Sequence, residues 1–221
     1  GLSITINQID NDTLAIIDDS DVSSGGLLSV IASSTTSIDA TAWGAAISVA
    51  AGSGGSPVAV SATGAVADNS VTNTITAAIK DSNPSSTNMV AANGPLSLAA
   101  TDNATIDAFG FAGSIAIAAG ASGSSVSGSL GIGIALNTID NQVAATIANI
   151  DSVVTDNTVS LSATSNSQIK AHSIAAAISV AAGQSSSVAV SGGGAISENV
   201  ILSTTNAYVD QSNLDVGTAP V

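Results

Sequence analysis

The sequence predicts an all-β protein wound as a repeat β-solenoid, a parallel β-helix-like rod. Three observations lead there. A long motif recurs at spacings of 62, 68 and 62 residues. The segments between turns alternate with a period of two. Strong helix formers other than Ala are nearly absent, while β-branched residues and Gly interrupt any 3.6-residue stripe. A long-stranded antiparallel sandwich is the alternative, because residues 46–51 and 57–62 could form a hairpin across a Gly-rich turn.

The repeats organise the chain from end to end. Asn7, Asn69, Asn137 and Asn199 open four copies of one motif. Ala15, Ala77, Ala145 and Ala207 stand in step within it, as do Ile17, Ile79, Ile147 and Val209. Residues 46–52 recur as 114–120 and 177–183, and residues 28–30 recur as 96–98 and 159–161. The array divides as 7–68, 69–136, 137–198 and a partial 199–221, with no linker and no unrelated domain. The variation in repeat length falls at 82–94, which carries Pro84 and reads as a solvent loop.

Turn chemistry punctuates the segments at 53–56, 122–125, 101–103 and 156–157. About nine to twelve strands are expected, with like residues stacked in ladders. In residues 106–111, Ile106, Ala108 and Gly110 share one face, the inward one, and Asp107, Phe109 and Phe111 the other. Two windings fit. Three coils of about 21 residues per repeat give roughly ten layers and about 48 Å of rod; one large coil per repeat gives three to four layers. The three-coil winding is the expected one, since a closed coil of about 65 residues would need a wide core.

Composition narrows function. The 221 residues carry 16 acidic groups against two Lys and no Arg, for a formal charge of −14. Two lysines cannot replace phosphate counterions, so nucleic acid is not a partner. Without Cys there is neither a disulfide framework nor a thiolate metal site. A single His leaves little for triad chemistry, and no enzyme activity is expected. A hydrophobic fraction of 45% and a mean hydropathy of +0.49 argue against a disordered acidic tail. Residues 108–139 are free of charge but broken by glycines and serines, so no transmembrane segment is expected. The opening residues read as mid-strand rather than as a signal peptide, and no amphipathic cap covers residues 2–6 or 214–216. The expectation is a window of a longer array or a unit that docks end to end with identical subunits.

The strand at 96–102, the Ala/Gly/Ser-rich stretch 113–136 and the Asn137-to-Ile147 close resemble repeats of very large bacterial secreted or surface proteins of the filamentous-haemagglutinin and leukotoxin-type adhesin kind. The likeness spans the whole chain. It implies an extracellular or cell-surface β-solenoid: a structural segment of a bacterial fibre or giant adhesin, giving stiffness and a self-assembly surface.

Several residues are candidates for more. Trp43, Phe111 and Ile174 share one slot, with Phe109 two residues away on the same face. They form either an aromatic strip for surface glycans or an outward face covered by a loop. Asp18, Asp19 and Asp21 cluster in one turn, as hard oxygen donors for Ca2+ or as a solvated acidic turn. Lys170 falls in the slot of Asp39 and Asp107, which suggests a cross-layer ion pair. His172 takes the slot of Thr41 and Phe109, a surface ladder position. A solenoid polysaccharide-active enzyme would need more basic residues than these two. Ice binding would need a persistent Thr-x-Thr ladder, and the Thr72, Thr74, Thr76 run has unlike counterparts.

Overall fold

The computed structural model describes residues 1–81 and 88–217. They form eleven strands: β1 (Leu2–Asp18), β2 (Val22–Ser24), β3 (Leu28–Gly52), β4 (Val58–Lys80), β5 (Met89–Ala92), β6 (Leu96–Gly120), β7 (Ser125–Ala148), β8 (Ser152–Thr155), β9 (Val159–Ala182), β10 (Ser187–Asp210) and β11 (Leu214–Val216). Every pairing between them is parallel. The strands stack as three sheets: a long one ordered β1-β4-β7-β10, a second long one ordered β3-β6-β9, and a short one ordered β2-β5-β8-β11. This is a parallel β-solenoid. The antiparallel alternative fails because β3 and β4, which would make its hairpin, lie in different sheets.

The winding differs from the expected one. Asn7 pairs with Asn69, Asn69 with Asn137 and Asn137 with Asn199, so each repeat makes one coil. The stack has three to four layers, about 14–19 Å along its axis, while a 25-residue strand runs about 80 Å across it. The molecule is therefore a broad plate and not a rod of ten layers. A coil of this length does not need a wide core, because two long strands lie nearly face to face and a short third strand closes one end.

The core tapers from that closed end to the opposite one. Beside the short sheet, Leu96, Leu98, Ile75, Ile79, Val90, Ile147, Ile150 and Val153 fill the interior. Midway the cluster is Ile38, Val71, Ile106, Ile139 and alanines. Toward the far end its apolar members are alanines, Ala42, Ala65, Ala67 and Ala112, then Ala59, Ala116 and Ala118, interleaved with buried serines. There the sheets approach so closely that glycine is required. A Cβ on Gly133 would lie 2.8 Å from the Ile174 carbonyl oxygen, and one on Gly131 would lie 2.9 Å from that of Ala176. The chain is a wedge, with a wide base at the short sheet and a thin tip at the turns after β3, β6 and β9.

Corners explain the local sequence. At the exits of β1, β7 and β10, Asp19, Asn149 and Gln211 have φ of 47°, 58° and 44°, the left-handed region that short polar side chains tolerate best. At the tip, Gly55 and Gly123 have φ near 100°, where a Cβ would be strained. Two expectations are corrected. Residues 101–103 are not a turn but lie inside β6, and Asp102 is fully buried. The loop at 82–94 is not all solvent-facing, since Met89–Ala92 is strand β5 and Val90 is 1% exposed. Within that stretch, residues 82–87 lie outside the described residues.

The inward phase of β6 is as the alternation predicts. Ala108 is fully buried beside Ile106 and Ile139, while Asp107 is exposed. Ala108→Leu should overpack this layer and cost about 1–3 kcal/mol, with Asp107→Ser nearly neutral. Thermal melts of the two variants check this; equal shifts would reverse the phase. Among the described residues, no helix is long and apolar enough to cross a membrane.

Candidate functional site

The residues singled out from sequence land on three different parts of the wedge. The aromatic group sits on the outer face of the second long sheet, where β3, β6 and β9 pass from the wide half to the thin half. Trp43 pairs in register with Phe111, and Phe111 with Ile174. The Trp43 ring lies 5.9 Å from that of Phe109 and 5.1 Å from that of Phe111, each tilted by 40°. Trp43 remains 64% exposed, so no loop of the described chain covers it. The three rings form a raised ridge crossing the strands.

Beyond the ridge, Ala45, Gly113 and Ala176 form a row of small residues, and Ile47, Ile115 and Ile178 form a second ridge. Between the ridges runs a shallow apolar groove of about 320 Å³, lined by Ala45, Ile47, Phe111, Gly113, Ala176 and Ile178 among others. Val49, Ile117 and Val180 continue the apolar surface toward the tip. The opposite face matches it: Val58 and Val126, Val60 and Val190, Leu130, and the Val66–Ile134–Ile196 row all point outward on the first long sheet.

Inside the same half the chemistry is reversed. Ser114 Oγ donates to Ser61 Oγ at 2.9 Å, and Ser127 Oγ lies 2.6 Å from Ser179 Oγ. Ser129 donates to the Ser114 carbonyl and Ser125 to that of Ala182. The thin half is thus hydroxylated within and apolar without. The sequence reveals this in its charges: none occurs between Asp39 and Asp68, between Asp107 and Asp140, or between Lys170 and Glu198.

The acidic turn is put to structural use. Asp18 Oδ2 accepts from Lys80 Nζ at 2.9 Å, Asp19 provides the left-handed corner, and Asp21 Oδ1 accepts from the Met89 backbone N–H at 2.9 Å. The carboxyls of Asp18 and Asp21 serve different partners, and no group of three acidic or imidazole side chains among the described residues is placed to hold a metal. Lys170 stacks next to Asp107 and His172 next to Phe109, as their spacing predicts. Among the described residues Lys80 pairs with Asp18, while Lys170 and Asp107 stack without a salt bridge. Thr72, Thr74 and Thr76 stack beside Asp140, Gln142 and Ala144, so the threonine run is confined to one layer.

The bonding of one polar row, and the whole of a second, escaped the sequence reading. In the first, Asn7 Nδ2 donates to Asn69 Oδ1, Asn69 Nδ2 to Asn137 Oδ1, and Asn137 Nδ2 to Asn199 Oδ1, at 2.8 to 2.9 Å. In the second, Asp102 accepts from Asn73 Nδ2 at 3.0 Å and from Asn141 Nδ2 at 2.6 Å. The Asn spacing flagged the first row as a landmark, though not its direction. Asp102 shares the parity of Leu96, Leu98 and Ala100, a signal that alternation alone carries. No family model, curated protein or solved structure matches the chain.

Proposed function

We propose that this chain is a structural segment of a large extracellular bacterial adhesin or fibre, and that it extends by stacking further coils on its two open ends. The observation that carries the reading is the direction of the asparagine row. Asn7 presents an Oδ1 acceptor at one end and Asn199 an Nδ2 donor at the other, which is the complementarity a head-to-tail stack requires. The last layer supports it. Ile201 and Val209 sit in the inward rows of Ile139 and Ile147, yet are 46% and 39% exposed where a further layer would cover them. The likeness of the repeats to adhesin-type arrays supports the extracellular setting. The plate geometry bears on the role. Each coil adds only about 4.8 Å of length and is about 80 Å wide, so the segment supplies stiffness and broad lateral surface more than reach.

The test is light scattering at rising protein concentration. Axial association should appear at low salt and persist in high salt, whereas sideways bundling, opposed by the −14 charge, should need salt or Ca2+. A strictly monomeric species unchanged by either would contradict the reading. The exposed aromatic ridge favours a second one, an adhesive module that stacks sugars on Trp43. Binding on a glycan array that Trp43→Ala abolishes would support it; an array without signal would remove it.

A further inference from the structure

The thin half of the wedge has no charged side chain, a hydroxyl-bonded interior, and apolar residues on both of its opposite outer faces. Sixteen of the 27 large hydrophobic side chains that stand exposed among the described residues belong to this half, among them Ile47 at 73%, Val60 at 68% and Ile178 at 55%. A soluble face of this extent calls for a covering.

We infer that the covering is lipid hydrocarbon, and that the thin half embeds tip-first in a membrane of uncharged lipids. Four observations select this occupant. Both opposite faces are apolar, which a medium that surrounds the thin half covers. A second copy packed on one face leaves the other bare. Repeated face-to-face packing in the same orientation would bring the acidic halves together at −14 each, and the reverse orientation would set acidic rows on apolar ones. From Trp43 to Gly52 the strand runs about 30 Å, the thickness of a bilayer's hydrocarbon core. The Trp43, Phe109 and Phe111 ridge marks the border between the charged and apolar halves, the level at which aromatic side chains sit at a membrane surface. The turn at 53–56, polar but uncharged, would reach the far headgroups.

The wide half keeps every charged residue in water. Backbone groups on the outermost layers cannot be left open in hydrocarbon. The inference therefore rests on the stacking reading, in which neighbouring coils pair them.

Trp43, the single tryptophan, is a built-in probe. Mixed with phosphatidylcholine vesicles, the protein should float with them. Its emission should shift to the blue and be quenched by lipids brominated on the acyl chain, and high salt should not reverse this. The outward triple variant Ile47→Asp, Ile115→Asp, Ile178→Asp should lose flotation at least about tenfold. The same positions changed to Ser give a milder set with the same direction, and circular dichroism reports folding for both. The control triple Ser33→Asp, Thr101→Asp, Thr164→Asp, one outward row in the charged half, should float as wild type does. Wild-type protein that stays unbound with unchanged emission would overturn the inference, whatever its assembly state. So would burial of Trp43 by salt-promoted self-association without lipid, which would make a second copy the occupant. Sedimentation of the same samples without vesicles reports stacking separately. Assembled but unbound protein refutes the membrane alone, and bound monomer refutes the stacking and, with it, embedding through paired outer layers.

Discussion

Asp102→Ala is expected to be the most damaging single substitution in the molecule. Its carboxyl is fully buried between layers, with Asn73 on one oxygen and Asn141 on the other. Asn73 and Asn141 are themselves buried, and the Asn141 side-chain oxygen accepts the Asn73 backbone N–H at 2.9 Å. Alanine removes both acceptors and leaves two amide donors without water. A buried donor left unpaired costs about 1–3 kcal/mol, so the loss should be about 2–6 kcal/mol. In a chain of this size, about 3 kcal/mol lowers the melting temperature by roughly 6–12 °C. Asp102→Asn keeps one acceptor and sets an amide against another amide, so its cost should fall between wild type and alanine. Thermal melts of the three proteins check the order. An alanine variant as stable as wild type would mean that the carboxyl is not the centre of this row.

The second large effect is expected at the thin end. Gly131 and Gly133 face the backbones of β6 and β9 with no room for a side chain. Gly133→Ala places a methyl 2.8 Å from the Ile174 carbonyl oxygen, which cannot yield without parting the sheets. The cost should be about 1–3 kcal/mol, and a Gly131→Ala, Gly133→Ala pair should cost more than either alone. Gly128 lies on the same strand with open space around it, and Gly128→Ala should be neutral or slightly stabilising. Chemical denaturation of the set measures the contrast. Equal effects at 128 and 133 would mean that the sheets are not in backbone contact there.

Register was legible in the sequence because parallel stacking repeats like residues at like places. Asn7, Ala15 and Ile17 found their partners two and three layers away from spacing alone, and so did Trp43 with Phe111 and Ile174. The outward phase of Asp107 and Phe109 followed from alternation. The winding was harder to read because coil length and core width were taken to grow together. They do not when the coil is flattened: Gly131 and Gly133 hold the far end shut while leucine and isoleucine fill the near one. Asp102 was masked by its neighbours, since a Thr-Asp-Asn string has turn composition whether or not it turns. Its burial is dictated by Asn73 and Asn141, which approach from the facing sheet. Likewise the acidic turn at Asp18, Asp19 and Asp21 owes its composition to a corner, an ion pair and a backbone N–H that belong to the next layer. Such partners are distant in sequence, so no local pattern announces them.

The central claim is that one repeat is one coil, so residues a full repeat apart are neighbours in adjacent layers. Asn103 and Asn166 test it, being paired in register with Asn166 Nδ2 donating to Asn103 Oδ1 at 3.1 Å on the outer face. The chain has no cysteine, so Asn103→Cys with Asn166→Cys gives a single engineered pair. Adjacent parallel strands lie about 4.8 Å apart, within the range a disulfide spans. Mild oxidation should form the bond within one chain in high yield, read as a reducible mobility shift and by mass spectrometry. With three coils per repeat the same residues would be about 14 Å apart, and the bond would not close. A pair that stays reduced in the folded protein would contradict the account.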